Sequence, residues 1–150
     1  MCIRDRIWII DHSTTTEEAA THSGGNAGKG GDILYRWGNP RTYDRGAGAN
    51  QKFYGQHDAQ WIEAGLPDEG KIMVYNNGQG RPEGSYSSID IITPPLLSDG
   101  TYEIDNENAY GPEELFWTYT TGANDFYSPR VSGAQRLPNG NTLILSLIHI

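Results

Sequence analysis

Apolar and aromatic residues fall in short runs along the chain, separated by clusters of Gly, Pro, Asn and Asp. The runs lie at residues 7–10, 32–37, 59–62, 71–75, 86–92, 114–119, 134–137 and 141–144. Runs of this length, rich in β-branched and aromatic residues and closed by turn formers, predict β-strands. No segment carries a sustained helical stripe. The TTTEEAA stretch at residues 14–20 can form a short helical turn with a Thr cap, but it runs directly into His22 and a Gly-rich loop.

The runs also repeat. IWIIDH at residues 7–12 resembles IMVYNN at 72–77, which in turn resembles NTLI at 141–144. Between them, ILYRWG at 33–38 matches ELFWTYT at 114–120, and FY followed by AQWI at 53–62 matches FY followed by AQRL at 126–137. The unit is roughly 65 to 75 residues long and holds about four strands, as one propeller blade does. A blade cannot bury both faces of its sheet alone and must stack on neighbours. The pattern therefore predicts an all-β fold, a partial β-propeller of about two four-stranded blades cut from a larger closed ring. An immunoglobulin-like sandwich is the alternative, but it does not account for an aromatic strand and an AQ strand recurring in the same order.

Composition narrows the function classes. Gly 19, Pro 8, Tyr 9 and Trp 4 describe a loop-rich chain with aromatic strands. A formal net charge of −8, with 19 acidic against 11 basic residues, argues against nucleic acid as a partner, because neutralising phosphates needs clustered cations. An anionic small substrate remains compatible if a few arginines converge. No apolar run is long enough to span a bilayer. The two ends have a separate origin in this reading: one DNA string, read in its two orientations, encodes residues 1–5 and 145–150. Residues 1–6 and 145–150 are thus expected to be translated sequencing adaptor, and residues 7–144 the β-propeller fragment of a metagenomic insert. Cys2, the only cysteine, and His149 then carry no functional weight, and redox compartment cannot be read from the chain.

Several possible sites reduce to plainer readings. His12 and His22 flank Asp11, Glu17 and Glu18, yet they lack the tight spacing of a zinc site, so no metal is expected. SGGNAGKGGD at residues 23–32 has Gly31 where a phosphate-binding loop needs its lysine and hydroxyl, and it reads as a connection. Arg36, Arg41 and Arg45 lie near Trp37 and Tyr43 and read as surface residues, while Asn76, Asn77 and Gly78 read as a turn after a strand. Trp37, Trp61 and Trp117 recur at equivalent places and read as packing between blades.

Five segments together carry a family likeness: GGDILYRWGNP at 30–40, FYGQHDAQWI at 53–62, KIMVYNNGQGR at 71–81, YSSIDI at 86–91 and SGAQRLPNGNTLI at 132–144. They resemble bacterial aryl-sulfate sulfotransferases of the propeller type, and QHD with the downstream NNGxGR is the most specific part. The resemblance implies a six-bladed propeller whose central funnel holds a nucleophilic histidine, here His57 of the QH motif. That histidine accepts a sulfuryl group from a phenolic sulfate ester and passes it to a phenol, without PAPS and without a cofactor. Neutral imidazole is a competent nucleophile, and sulfuryl transfer calls for cationic or hydrogen-bonding groups on the sulfate oxygens. Arg81 and Arg130 are the candidates within this chain. Aligning Ala59-Gln60 with Ala134-Gln135 sets Ser132 at the place of His57, so its hydroxyl is expected to face the same pocket. The family also implies export to the periplasm, a homodimer of the full-length protein, and further site residues from upstream blades, so the chain alone is expected to be inactive. The alternative from another class is a non-catalytic propeller that binds ligands or proteins.

Overall fold

The computed structural model describes residues 5–104, 107–121 and 125–147. Residues 1–4 and 148–150, most of the two expected adaptor-derived ends, with Cys2 and His149, lie outside the described residues. The described chain is all-β and antiparallel. Its strands are β1 (Ile7–Ile10), β2 (Ile33–Trp37), β3 (His57–Trp61), β4 (Ile72–Asn76), β5 (Ser88–Ile92), β6 (Trp117–Tyr119), β7 (Gly133–Arg136) and β8 (Thr142–Leu145). Each predicted run overlaps one of them. The one α-helix among the described residues, α1 (Thr16–Ala19), is a single turn. Its cap is the one the sequence suggests: Thr15 Oγ1 accepts from the Glu18 N–H at 3.2 Å, and Glu18 accepts from the Thr15 N–H at 2.8 Å.

The chain divides into two compact units. One comprises residues 6–50 and 95–111 and contains the β1–β2 pair. Its interior is aromatic: Tyr35 is fully buried, with ring centroids 4.9 Å from Tyr102 and 5.3 Å from Tyr110. The Tyr35 hydroxyl donates to the Gly111 carbonyl at 2.7 Å, and burial pushes this phenol well above the ordinary tyrosine range.

The other unit comprises residues 1–5, 51–94 and 112–150. It holds a four-stranded meander in the order β3-β4-β5-β6 and the separate β7–β8 pair. All five residues of β4 and of β5 are buried, so both faces of the central strands are covered. On one face Met73, Tyr75, Ile89 and Ile91 pack with Ile62, Phe126 and Ala134, and Trp117 and Ile144 close the cluster. The opposite face carries a polar knot. Asp90 accepts from Asn76 Nδ2 at 2.8 Å and from Thr118 Oγ1 at 2.6 Å, and the Asn76 side chain also bonds the Lys52 carbonyl and the Tyr54 N–H.

The two predicted four-stranded blades are found as one four-stranded sheet and two pairs among the described residues. The repeat itself is real, because the β3–β4 hairpin returns as β7–β8: Gln60 faces Met73 as Gln135 faces Leu143, and Trp61 faces Ile72 as Arg136 faces Thr142. The sheet begins at the AQ strand, out of phase with the sequence repeat, which leaves two strands before it and two after.

The Asn76 knot yields an expectation. Asn76→Ala removes the amide that Asp90 and the Tyr54 N–H share, leaving buried polar groups without partners at a cost of about 1–3 kcal/mol. Urea unfolding should record that loss; a change below about 0.5 kcal/mol would contradict the network's role.

Candidate functional site

The sequence motifs converge on one end of the four-stranded sheet, where β3 and β5 begin and β4 ends. His57 is the first residue of β3, half-buried and paired opposite Tyr75. The next residue, Asp58, has φ 53°, in the left-handed region that a strand interior avoids. Its conformation marks a bulge, since Asp58 and Ala59 together oppose the single residue Val74 between the His57–Tyr75 and Gln60–Met73 pairs. The Asp58 carboxylate reaches across to β7, accepting from the Ala134 N–H at 3.0 Å and from Gln60 Nε2 at 3.2 Å. A Cβ on Gly133 would overlap that carboxylate and force it to move, which favours glycine there.

The His57 ring is held by Asn77: Nδ1 lies 2.7 Å from Asn77 Oδ1. Asn77 is fully buried and does much more than form a turn. Its Nδ2 donates to the Ser128 carbonyl at 2.7 Å and the Val131 carbonyl at 2.9 Å, and its own carbonyl accepts from Ser87 Oγ at 3.0 Å. The turn belongs to Gly78, whose φ of 75° and close approach to the Tyr86 carbonyl exclude any side chain.

Past that turn, Arg81 donates from Nη2 to Ser88 Oγ at 2.7 Å. Its guanidinium lies over the Tyr86 ring at 4.4 Å and the Tyr54 ring at 5.7 Å. Burial pushes the Tyr54 phenol up, against the pull of the Arg81 charge, so the ring the guanidinium faces stays neutral. Arg81 Nε is buried without a hydrogen-bond partner, and no carboxylate pairs with this arginine among the described residues. A cation without a carboxylate partner is chemistry suited to an anion.

The other candidates are placed differently. Arg130 is exposed, and its carbonyl accepts from the Ser128 and Ser132 hydroxyls. Ser132 precedes β7 with φ 81°; its Oγ lies 2.8 Å from Ser128 Oγ and accepts from the Leu147 N–H at 3.1 Å. The ladder puts Gly133, not Ser132, opposite Leu145 as His57 stands opposite Tyr75, because the bulge gives β3 one more residue than β7. Ser132 is still tied to the same end of the sheet through the 128–131 carbonyls that Asn77 holds. Among the described residues no cluster of three or more His, Cys, Asp or Glu could hold a metal. His22 pairs with Asp32 at 2.7 Å in an exposed position in the other unit. Sequence reasoning read Asn77 as a turn residue and passed over Ser87 and Ser128; the NNG, YSS and FYS strings contain them but do not reveal which side chains point inward.

Residues 26–148 match the family model described as Arylsulfotransferase (ASST), a span that includes His57, Asn77, Arg81, Arg130 and Ser132. Neither curated proteins nor solved structures gave a match. No helix among the described residues is long and apolar enough to cross a membrane.

The contact of Gly133 with Asp58 can be tested by itself. Gly133→Ala should cost about 1–3 kcal/mol through overpacking. Asp58→Gly, which suits the left-handed backbone, should absorb much of that penalty, giving a double-mutant coupling above about 0.5 kcal/mol. Strict additivity of the two changes would disprove the clash.

Proposed function

Since the chain belongs to the arylsulfotransferase (ASST) family, we propose that it contributes the nucleophile of a PAPS-independent enzyme moving a sulfuryl group from a phenolic sulfate ester to a phenol, through a sulfated His57. The observation that carries the reading is the occurrence, at one end of a sheet, of an imidazole anchored through Nδ1 and of an arginine that has no carboxylate partner among the described residues. Anchoring through Nδ1 directs Nε2 toward the sulfur.

In the first half-reaction the Nε2 lone pair forms an N–S bond while the bond from sulfur to the aryl oxygen breaks. The phenolate leaves with that electron pair and takes a proton from solvent. In the second, the oxygen of the acceptor phenol attacks the sulfur, the N–S bond returns its pair to the ring, and the phenol gives up its proton to solvent. The products are one phenol and one new aryl sulfate. Arg81 faces the sulfate oxygens, where charge is held through the transition state, and Arg130 and the Ser132 hydroxyl supply further contacts. Neither a nucleotide-activated sulfate nor a metal enters the scheme. The scaffold in this proposal is a six-bladed propeller, with the four-stranded meander as one blade, in a homodimeric protein exported to the periplasm.

The test uses the full-length protein, p-nitrophenyl sulfate as donor and phenol as acceptor. His57→Ala, with folding retained by circular dichroism, should lower kcat by more than about 10³-fold, as expected for loss of a covalent nucleophile. A retained rate would sink the assignment, and a wild type that binds aryl sulfates without turning any over would favour a binding module instead. Arg81→Met should lower kcat/KM by roughly 10- to 100-fold, and an unchanged value would remove Arg81 from the site.

A further inference from the structure

Building on the reading of His57 as nucleophile, we infer that Asn77 is a positioning residue that fixes the His57 tautomer, holding the proton on Nδ1 and the lone pair on Nε2. The argument starts from the amide and not from the ring. Asn77 Nδ2 has two neighbours, the carbonyl oxygens of Ser128 at 2.7 Å and Val131 at 2.9 Å. Carbonyl oxygens only accept, so the amide nitrogen must point at them; the flipped amide would set its oxygen against both in a fully buried position. The orientation of Asn77 is thus decided by the 128–131 segment, independently of His57.

The remaining end of the amide is Oδ1, and it lies 2.7 Å from His57 Nδ1. An amide oxygen has no proton to give, so Nδ1 must be the donor. In the neutral ring the lone pair then falls on Nε2. The same contact fixes the rotation of the imidazole about its Cβ–Cγ bond, because Asn77 is itself held by two further bonds and by the Ser87 hydroxyl on its carbonyl. Backbone carbonyls of the segment leading into β7 therefore select which nitrogen of a β3 histidine is nucleophilic. A neutral amide in this role orients the ring without adding a negative charge beside an anionic substrate, as a carboxylate would.

The test has a spectroscopic and a kinetic part, both on the full-length protein. The ring nitrogens of His57 are assigned in 15N-histidine-labelled protein by their disappearance in His57→Ala. In the wild type at a pH where the ring is neutral, the Nδ1 resonance should have the protonated shift and Nε2 the unprotonated one; the reverse pattern overturns the inference whatever any variant does. Asn77→Ala should scramble the tautomers and lower kcat roughly 10²- to 10⁴-fold, with KM for p-nitrophenyl sulfate changed less than about threefold, as when the orienting partner of a catalytic imidazole is lost. Asn77→Asp keeps an acceptor for Nδ1–H, so it should retain the wild-type tautomer even though its carboxylate faces two carbonyls and lowers stability. If His57→Ala is inactive but Asn77→Ala keeps both kcat and tautomer, Asn77 is not the positioning residue and the nucleophile stands. If His57→Ala keeps its rate, the nucleophile falls first and takes this role of Asn77 with it.

Discussion

Two adjacent side-chain amides, Asn76 and Asn77, are fully buried at the end of β4, and neither can be left without hydrogen-bond partners at that depth. Neighbouring residues of a strand point to opposite faces. One amide therefore secures the Asp90–Thr118 knot and the chain before β3, and the other secures His57 and the chain before β7. The segments that bring QHD, NNGQGR and FYSPRVS together are connections by sequence and would wander without such pins. Much of the site's geometry follows from satisfying these two amides.

The same end of the sheet also carries an expense. Arg81 is wedged between tyrosine faces with one nitrogen buried and unbonded, an arrangement that folding alone does not favour. A hydroxyl on one nitrogen and two aromatic rings compensate only in part. In the proposed reaction this cation would be compensated by the sulfate of the donor.

Strand positions were legible because turn formers bracket every apolar run, and the Thr cap of α1 was legible because a capping box is a local pattern. The likeness of the two hairpins was legible through AQWI and AQRL. What escaped is non-local. The grouping of strands into sheets depends on where the chain leaves one sheet for another, and the sequence repeat has a different phase from the meander. The bulge at Asp58 escaped because the contact of its carboxylate with the Ala134 N–H comes from another hairpin and leaves no local pattern. Missing the bulge displaced the expected counterpart of His57 in the second hairpin by one residue, from Gly133 to Ser132. Asn77 read as turn chemistry because NNG is a turn string; only the hydrogen bonds of its side chain separate the pinned amide from the glycine that turns.

The extra residue at the Asp58 bulge has an evolutionary and engineering consequence. Side chains alternate along a strand, so excising position 58 would leave the imidazole opposite Tyr75, as the unbulged β7 sets Gly133 opposite Leu145, while removing the carboxylate that reaches the Ala134 N–H. A three-nucleotide deletion there would thus spare the register of β3 and weaken its tie to β7.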